Sequence, residues 1–181
     1  MVDKKKSMAE TFDITAPTYG GGSDFFTVLS NQLVGWAQIP DNVRLLDFGS
    51  GRGAVLFAAI KATANTGKYT AIDVSGQMIR ELESEIDKIP KIHANTEVMD
   101  GEDLSFEDNR FDVVLSGATV HLLSNKKNGL SEIYRVLNID GFLAFSAPGN
   151  PPAGKWAFHK ELYSKYLPSI DPKKWQPSHK G

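Results

Sequence analysis

Leu-Leu-Asp-Phe-Gly-Ser-Gly-Arg-Gly-Ala-Val, residues 45–55, decides the fold. Two aliphatic residues run into an acid, glycines alternate at 49, 51 and 53, and an apolar helical stretch follows. A strand that ends in a glycine turn and opens a helix is a nucleotide-binding corner. Glycines let the backbone turn sharply and approach a ligand with no Cβ in the way. The acid two places before the first glycine is informative. A phosphate site has no use for a carboxylate there, whereas a cationic, phosphate-free ligand does.

Around this corner the chain alternates between two periods. Residues 7–38 are predicted helical, broken around Pro17 and Gly20-Gly21-Gly22, with Phe26, Leu29, Leu33 and Trp36 at helical spacing. Short apolar strands are predicted at 43–47, 69–73, 96–99, 111–116 and 142–146. Helices are predicted at 53–65, at 75–88 with Ser75 as cap, and at 125–137. Asn138-Ile139-Asp140-Gly141 reads as a turn. A last amphipathic helix is predicted at 155–167, ahead of a tail broken by Pro168, Pro172 and Pro177. The β-α-β alternation implies an α/β, doubly wound, right-handed parallel sheet. The expected organisation is a helical segment at 1–40, a Rossmann-like core at 41–150, and a helix with a proline-broken tail at 151–181.

In such sheets the ligand sits at the carboxyl ends of the strands. Strand one ends in Asp47 and the glycine turn, strand two in Asp73, strand three in Asp100 and strand four in Ser116. Asp73 lies 20 residues past Gly53, the distance at which a carboxylate meets ribose hydroxyls in dinucleotide folds. Asp100 with the amide of Gly101 offers an acceptor and a donor side by side, matching the amino group and a ring nitrogen of adenine. The same glycines also satisfy the nicotinamide-type pattern, so a nicotinamide-dependent oxidoreductase stays open. Against it stand Asp47, where a pyrophosphate would come close, and the lack of a separate substrate domain. An adenosine ligand carrying an amino acid and a sulfonium fits better, its ammonium held by carbonyls around Gly49.

The ordered set of motifs resembles the class I S-adenosylmethionine-dependent methyltransferases, in the small-molecule group of the ubiquinone and menaquinone methyltransferases. The matches are Leu46-Asp47-Phe48-Gly49-Ser50-Gly51-Arg52-Gly53 and Ile72-Asp73-Val74-Ser75-Gly76-Gln77-Met78. Further on come Asp100-Gly101-Glu102-Asp103-Leu104-Ser105-Phe106, Asn109-Arg110-Phe111-Asp112-Val113-Val114, and Glu132-Ile133-Tyr134-Arg135-Val136-Leu137. The resemblance implies S-adenosyl-L-methionine as cofactor. It also implies Gly49 and Gly51 along the methionine part, with Ser50 between them among the cofactor-binding residues, Asp73 on the ribose, and Val74 and Met78 flanking the adenine. Asp100 and Gly101 fall at the adenine edge and Ser116 beside the sulfonium, with Glu102 next to them counted among the cofactor-binding residues. Phe12 and Tyr19 lie in a segment similar to the family's F-D-x-x-A-x-x-Y and are expected to close over the site.

His121, just past strand four, is a candidate base, since a neutral imidazole takes a proton near pH 7. The plainer reading is a loop histidine in a structural hydrogen bond. Tyr19, the other catalytic candidate, has a rival role as a helix-anchoring aromatic. Glu102 and Asp103 read as solvated loop acids, and no metal is expected. Asn150-Pro151-Pro152 follows strand five rather than strand four, so it is not read as an amide- or nucleobase-methylating triplet. Net charge is −2, from 20 basic and 22 acidic residues. With that balance no nucleic-acid partner is expected, and the lysines at 155–174 read as a solvated face. There is no cysteine, no secretory pattern in the polar first ten residues and no membrane-spanning run, so the cytoplasm is expected.

The family fold adds a helix, a sixth strand and an antiparallel seventh after strand five. Residues 168–181 hold three prolines and no β-patterned run. The expected sheet therefore has five strands in order 3-2-1-4-5, with strand five as an apolar edge that invites pairing. A homo-oligomer or a heteromeric partner is expected on that edge. Three functions follow. The first is a methyltransferase for a small-molecule acceptor, by O-, C- or N-methylation. The second is a cofactor-binding but incomplete or non-catalytic subunit that needs a partner chain, and the third is the nicotinamide enzyme.

Overall fold

A computed structural model describes residues 4–20 and 24–148 of the chain. Its centre is β1 (Arg44–Phe48), flanked by β2 (Lys68–Asp73) and β4 (Phe111–Gly117). Beyond β2 lies β3 (Ala94–Val98), and beyond β4 lies β5 (Leu137–Ser146), giving the order β3-β2-β1-β4-β5. Every neighbouring pair is parallel. This is the Rossmann-like, doubly wound architecture and the strand order expected from the motifs. The chain order reverses between β1 and β4, which makes that point the ligand crevice.

Side chains alternate across the sheet and build a core on each face. Leu45, Ala71, Val113 and Leu115 meet Val55, Leu56, Ala59 and Ile60 of α3 (Ala54–Ala62), together with Leu33 and Val34 of α2 (Phe25–Ala37). On the other face Leu46, Phe48, Ile72 and Val114 meet Ile133 and Val136 of α5 (Lys126–Val136). β1 and β4 are apolar on both faces because helices cover both. α4 (Gly76–Asp87) contributes the fully buried Leu82 to the first core. Its start is capped as expected: the Ser75 hydroxyl accepts from the Met78 amide at 3.0 Å. Asn125 caps α5 in the same way through the Asn128 amide at 3.1 Å.

The N-terminal segment forms α1 (Lys4–Thr15), a 3₁₀ turn at Ala16–Thr18, and α2. The break therefore falls at the expected Pro17, whose ring suits the first turn of a helix and not its interior. Met1–Ala147 form one compact unit.

Two expectations are corrected. Residues 138–141 are not a turn between helix and strand, because β5 begins at Leu137 and runs through them. The irregular composition instead marks a register shift: Phe111 pairs with Leu137 and Val113 already with Phe142. β3 starts two residues earlier than read, at Ala94. It is an edge strand whose residues are mostly exposed, so no apolar run marks its limits. The helix read at 155–167, the Asn150-Pro151-Pro152 triplet and the lysine-bearing tail lie outside the described residues.

Candidate cofactor and acceptor site

A cavity of about 400 Å³ opens at the carboxyl ends of β1, β2, β3 and β4. That size is within the range of small-molecule sites. Its floor is the 49–53 loop, where the Gly49 and Ser50 amides both donate to the Ile72 carbonyl at 2.9 Å. Gly49 has φ +74°, and a Cβ there would collide with the Thr119 side chain, so only glycine fits. The Thr119 hydroxyl lies 3.1 Å from the Gly49 and Gly117 carbonyl oxygens and packs β4's exit onto the loop. The Ser50 hydroxyl is buried and has no hydrogen-bond partner among the described residues.

Asp73 terminates β2 beside this loop. Its carboxylate accepts from the Gly51 amide at 2.8 Å and the Ser75 amide at 2.9 Å. Burial raises its pKa, against the pull of the amides of Ser75, Gly51 and Val74. A carboxylate has about four acceptor positions, so capacity remains for a donor from the cavity. Val74 and Met78 line the wall next to Asp73.

Asp100, Gly101 and Glu102 close the β3 side. An Asp100 carboxylate oxygen accepts from the Glu102 amide at 2.9 Å, and Glu102 accepts from the Asn125 amide at 2.9 Å. Gly101 lies against the Phe48 ring, where a Cβ would clash. Asp73, Asp100 and Glu102 thus line the cavity on the sheet side, and Arg52 is the one basic side chain among the described lining residues. The N-terminal segment and α2 add Met8, Phe12, Tyr19, Phe26 and Leu29 to the lining, and the turn after β4 adds Leu122. Tyr19 stacks on Phe26 with centroids 4.9 Å apart and meets Phe12 edge-on at 6.0 Å.

Three sequence-predicted site residues are not in the cavity wall. Asp47 is fully buried and shares the face of Leu45 toward α3, where it accepts from the Leu56 amide at 3.0 Å. It braces the helix start from behind the loop. Its other carboxylate oxygen has no partner among the described residues, and burial pushes its pKa up to about 7. Ser116 is also fully buried, and its hydroxyl donates to the Phe48 carbonyl at 3.0 Å. His121 follows Thr119 in a 3₁₀ turn, and although Thr119, Leu122 and Leu123 face the cavity, the imidazole does not. Burial lowers its pKa. Its Nδ1 has no partner among the described residues, so the structural hydrogen bond read for it is not seen at that atom.

Sequence reading missed Thr119, Phe26 and Arg52. Arg52 stood in the quoted motif without a role, and Thr119 carried no signal because its partner, Gly49, is 70 residues away. Among the described residues no cluster of three or more histidines and acids could hold a metal ion. Nor is any helix among them long and apolar enough to cross a membrane.

A doubly wound sheet with an acid-lined, glycine-floored crevice at its switch point defines a nucleoside-cofactor-binding protein. The family model described as a methyltransferase domain matches residues 46–145. The chain belongs to that family, and its cofactor is S-adenosyl-L-methionine. The site fits this group: an orphaned buried hydroxyl at Ser50, a loop that admits no Cβ at Gly49, and an excess of acids for a cationic ligand. Aklanonic acid methyltransferase of Streptomyces sp. (strain C5) is 30% identical over 178 residues, which span 96% of this chain and 80% of that protein. The ubiquinone/menaquinone biosynthesis C-methyltransferase of Geotalea daltonii is 28% identical, over 95% of this chain and 74% of that one. In fold, a SAM-dependent methyltransferase from Aquifex aeolicus superposes with a TM-score of 0.66 at 19% identity, covering 87% of this chain and 86% of that chain.

Proposed function

We propose that the chain methylates a small, largely apolar acceptor with S-adenosyl-L-methionine. The observation that carries this reading is the mixed lining of the cavity, in which Asp73, Asp100 and Glu102 at the strand ends share the wall with Met8, Phe12, Tyr19, Phe26 and Leu29 of the N-terminal segment and α2. Bound S-adenosyl-L-methionine supplies a methyl group activated on a positively charged sulfur. In our reading Gly49, Ser50 and Gly51 hold the amino-acid end and Asp73 accepts from the ribose. Val74 and Met78 sandwich the adenine, while Asp100 and Gly101 meet its polar edge.

Phe12, Tyr19 and Phe26 then exclude water and offer flat faces to the acceptor. The names of the relatives support an acceptor of this kind, one a methyltransferase of aklanonic acid and the other of ubiquinone and menaquinone biosynthesis. With His121 outside the wall, orientation and desolvation are the chain's main contribution, worth up to roughly 7–11 kcal/mol in well-oriented intramolecular reactions. The acceptor atom, whether O, C or N, follows from which atom the aromatic wall presents to the methyl group.

Calorimetry tests the reading first. S-adenosylhomocysteine is expected to bind one per chain and NAD to give no heat. Absence of S-adenosylhomocysteine binding, or binding of NAD in its place, overturns it. Transfer of labelled methyl to a panel of phenolic and quinone-type acceptors then tests the acceptor class, and labelling of polar acceptors alone would contradict an apolar one.

A further inference from the structure

Arg52, the one basic side chain among the described lining residues of the cavity, has no part in that reading. It stands in the glycine loop, yet its guanidinium is spent on the N-terminal segment and on α4. Its Nη1 lies 3.5, 3.3 and 3.4 Å from the carbonyl oxygens of Ala16, Pro17 and Tyr19. Its Nη2 donates to Glu85 at 3.2 Å and stands 3.7 Å from Glu81. The charge is thus answered by two carboxylates of α4, while the fork's other arm gathers three carbonyls of one turn.

That turn belongs to a strap, residues 8–20, whose Met8, Phe12 and Tyr19 form part of the cavity wall. The strap has a second fastening. Asp13 accepts from the Ser75 hydroxyl at 2.6 Å and the Gln77 amide at 2.9 Å. The Ser75 amide donates to Asp73, which also accepts from Gly51. Both fastenings therefore end on the 49–53 loop, one through the Arg52 side chain and one through Asp73.

We propose that Arg52 is a positioning residue that latches the strap to the cofactor loop. Filling the loop with an adenosine-type ligand and closing the strap are then one coupled event, and Arg52 sets how fast the ligand leaves. The inference rests on the methyltransferase reading for the identity of the ligand. Coupling of this kind is reciprocal: a ligand that orders the loop protects the strap, and loosening the strap weakens the ligand by the same factor. Lysine cannot substitute, because one ammonium lacks the planar fork that serves carbonyls and carboxylates together.

The test is hydrogen exchange on the intact chain, with and without S-adenosylhomocysteine, beside stopped-flow measurement of ligand release. In the unaltered protein the ligand is expected to slow exchange at residues 8–19 by about tenfold, within the usual 5–150-fold range of such couplings. In Arg52→Gln that protection is lost and release is about tenfold faster, while exchange in β1 and β4 stays unchanged. Arg52→Lys should resemble Arg52→Gln. Faster release with full strap protection would make Arg52 a direct ligand contact and overturn the latch, as would strap exchange in the unaltered protein indifferent to the ligand. That last measurement needs no variant, so it holds even where Arg52→Gln does not fold. If calorimetry finds no S-adenosylhomocysteine binding, it is the methyltransferase reading that fails.

Discussion

Asp47 lies one residue before the end of β1 and Asp73 ends the neighbouring β2, and the sequence alone assigns both to the ligand. They share one face of the sheet, since Asp47 pairs with Ala71 and Asp73 lies two residues beyond it, and they differ in their place along the strand: Asp47 is held inside β1, and Asp73 is the last residue of β2. Residues two apart on a strand share a face, so Asp47 follows Leu45 under α3, and Ser116 follows Val114 into the sheet's interior. Asp73, Asp100 and Gly101 sit at or beyond the last paired residue, where the backbone frees the side chain to face the crevice. Strand ends were legible; which end residues look outward is a matter of one residue in strand length, which apolar patterning does not resolve. The buried Asp47 also makes a prediction. Its folded pKa of about 7 lies above its ordinary value of 3.8, so the folded state holds an extra proton between those limits. Its contribution to stability is full below about pH 4 and declines by up to about 1.4 kcal/mol per pH unit until it is gone above about pH 7. Asp73, also raised by burial, acts in the same direction. Urea unfolding from pH 5 to 8 is expected to show a steeper loss of stability in the native chain than in Asp47→Asn. Parallel profiles would mean that Asp47 does not carry the proton.

At the scale of elements, most of the sheet could be read because its central strands are buried on both faces and bounded by turn residues. The failures lie at its edges. β3 is polar, and β5 crosses a register shift that imitates a turn, so neither shows the pattern that locates a central strand. The N-terminal helix was legible as a helix, but its mode of attachment was not, since Asp13 meets Ser75 and Gln77 across more than 60 residues of sequence. Its carboxylate sits at the N-terminus of α4, where a negative charge meets the helix dipole and the first unpaired amides. The Ser75 and Gln77 bonds hold its pKa below the usual carboxylate value. A depressed carboxylate stabilises above its unfolded pKa and is lost as pH falls through the folded one, so this fastening fails only below about pH 4. Asp13→Ala is expected to cost toward the low end of about 0.5–2 kcal/mol, because the group is exposed to solvent. The loss should appear as faster hydrogen exchange in α1 and the first turn of α4, with α5 unchanged. An unaltered α1 would show that Arg52 alone holds the strap.

Considered as a whole molecule, the described sheet has unequal edges. β3 is short and polar, which is how sheets discourage pairing, whereas β5 is 10 residues long and carries Phe142, Leu143 and Phe145. Phe145 is 49% exposed and Ile139 96%, so the strand presents apolar side chains to solvent. On one side β5 pairs with β4; among the described strands nothing pairs with the other. A second copy of the chain is the simplest occupant, because two β5 strands related by a twofold axis run antiparallel, and an isologous contact needs no new surface. The cofactor crevice lies at β1 and β4, so such pairing would leave the adenosine half of the site within each chain. The expected result in light scattering is a mass above the 19.9 kDa of one chain. Phe145→Lys should shift it toward the monomer while S-adenosylhomocysteine affinity holds within about twofold, as edge charge blocks pairing without reaching the crevice. A native chain that stays monomeric at assay concentration would remove the dimer. Loss of ligand affinity in a well-folded Phe145→Lys would instead mean that the edge and the crevice are energetically one site.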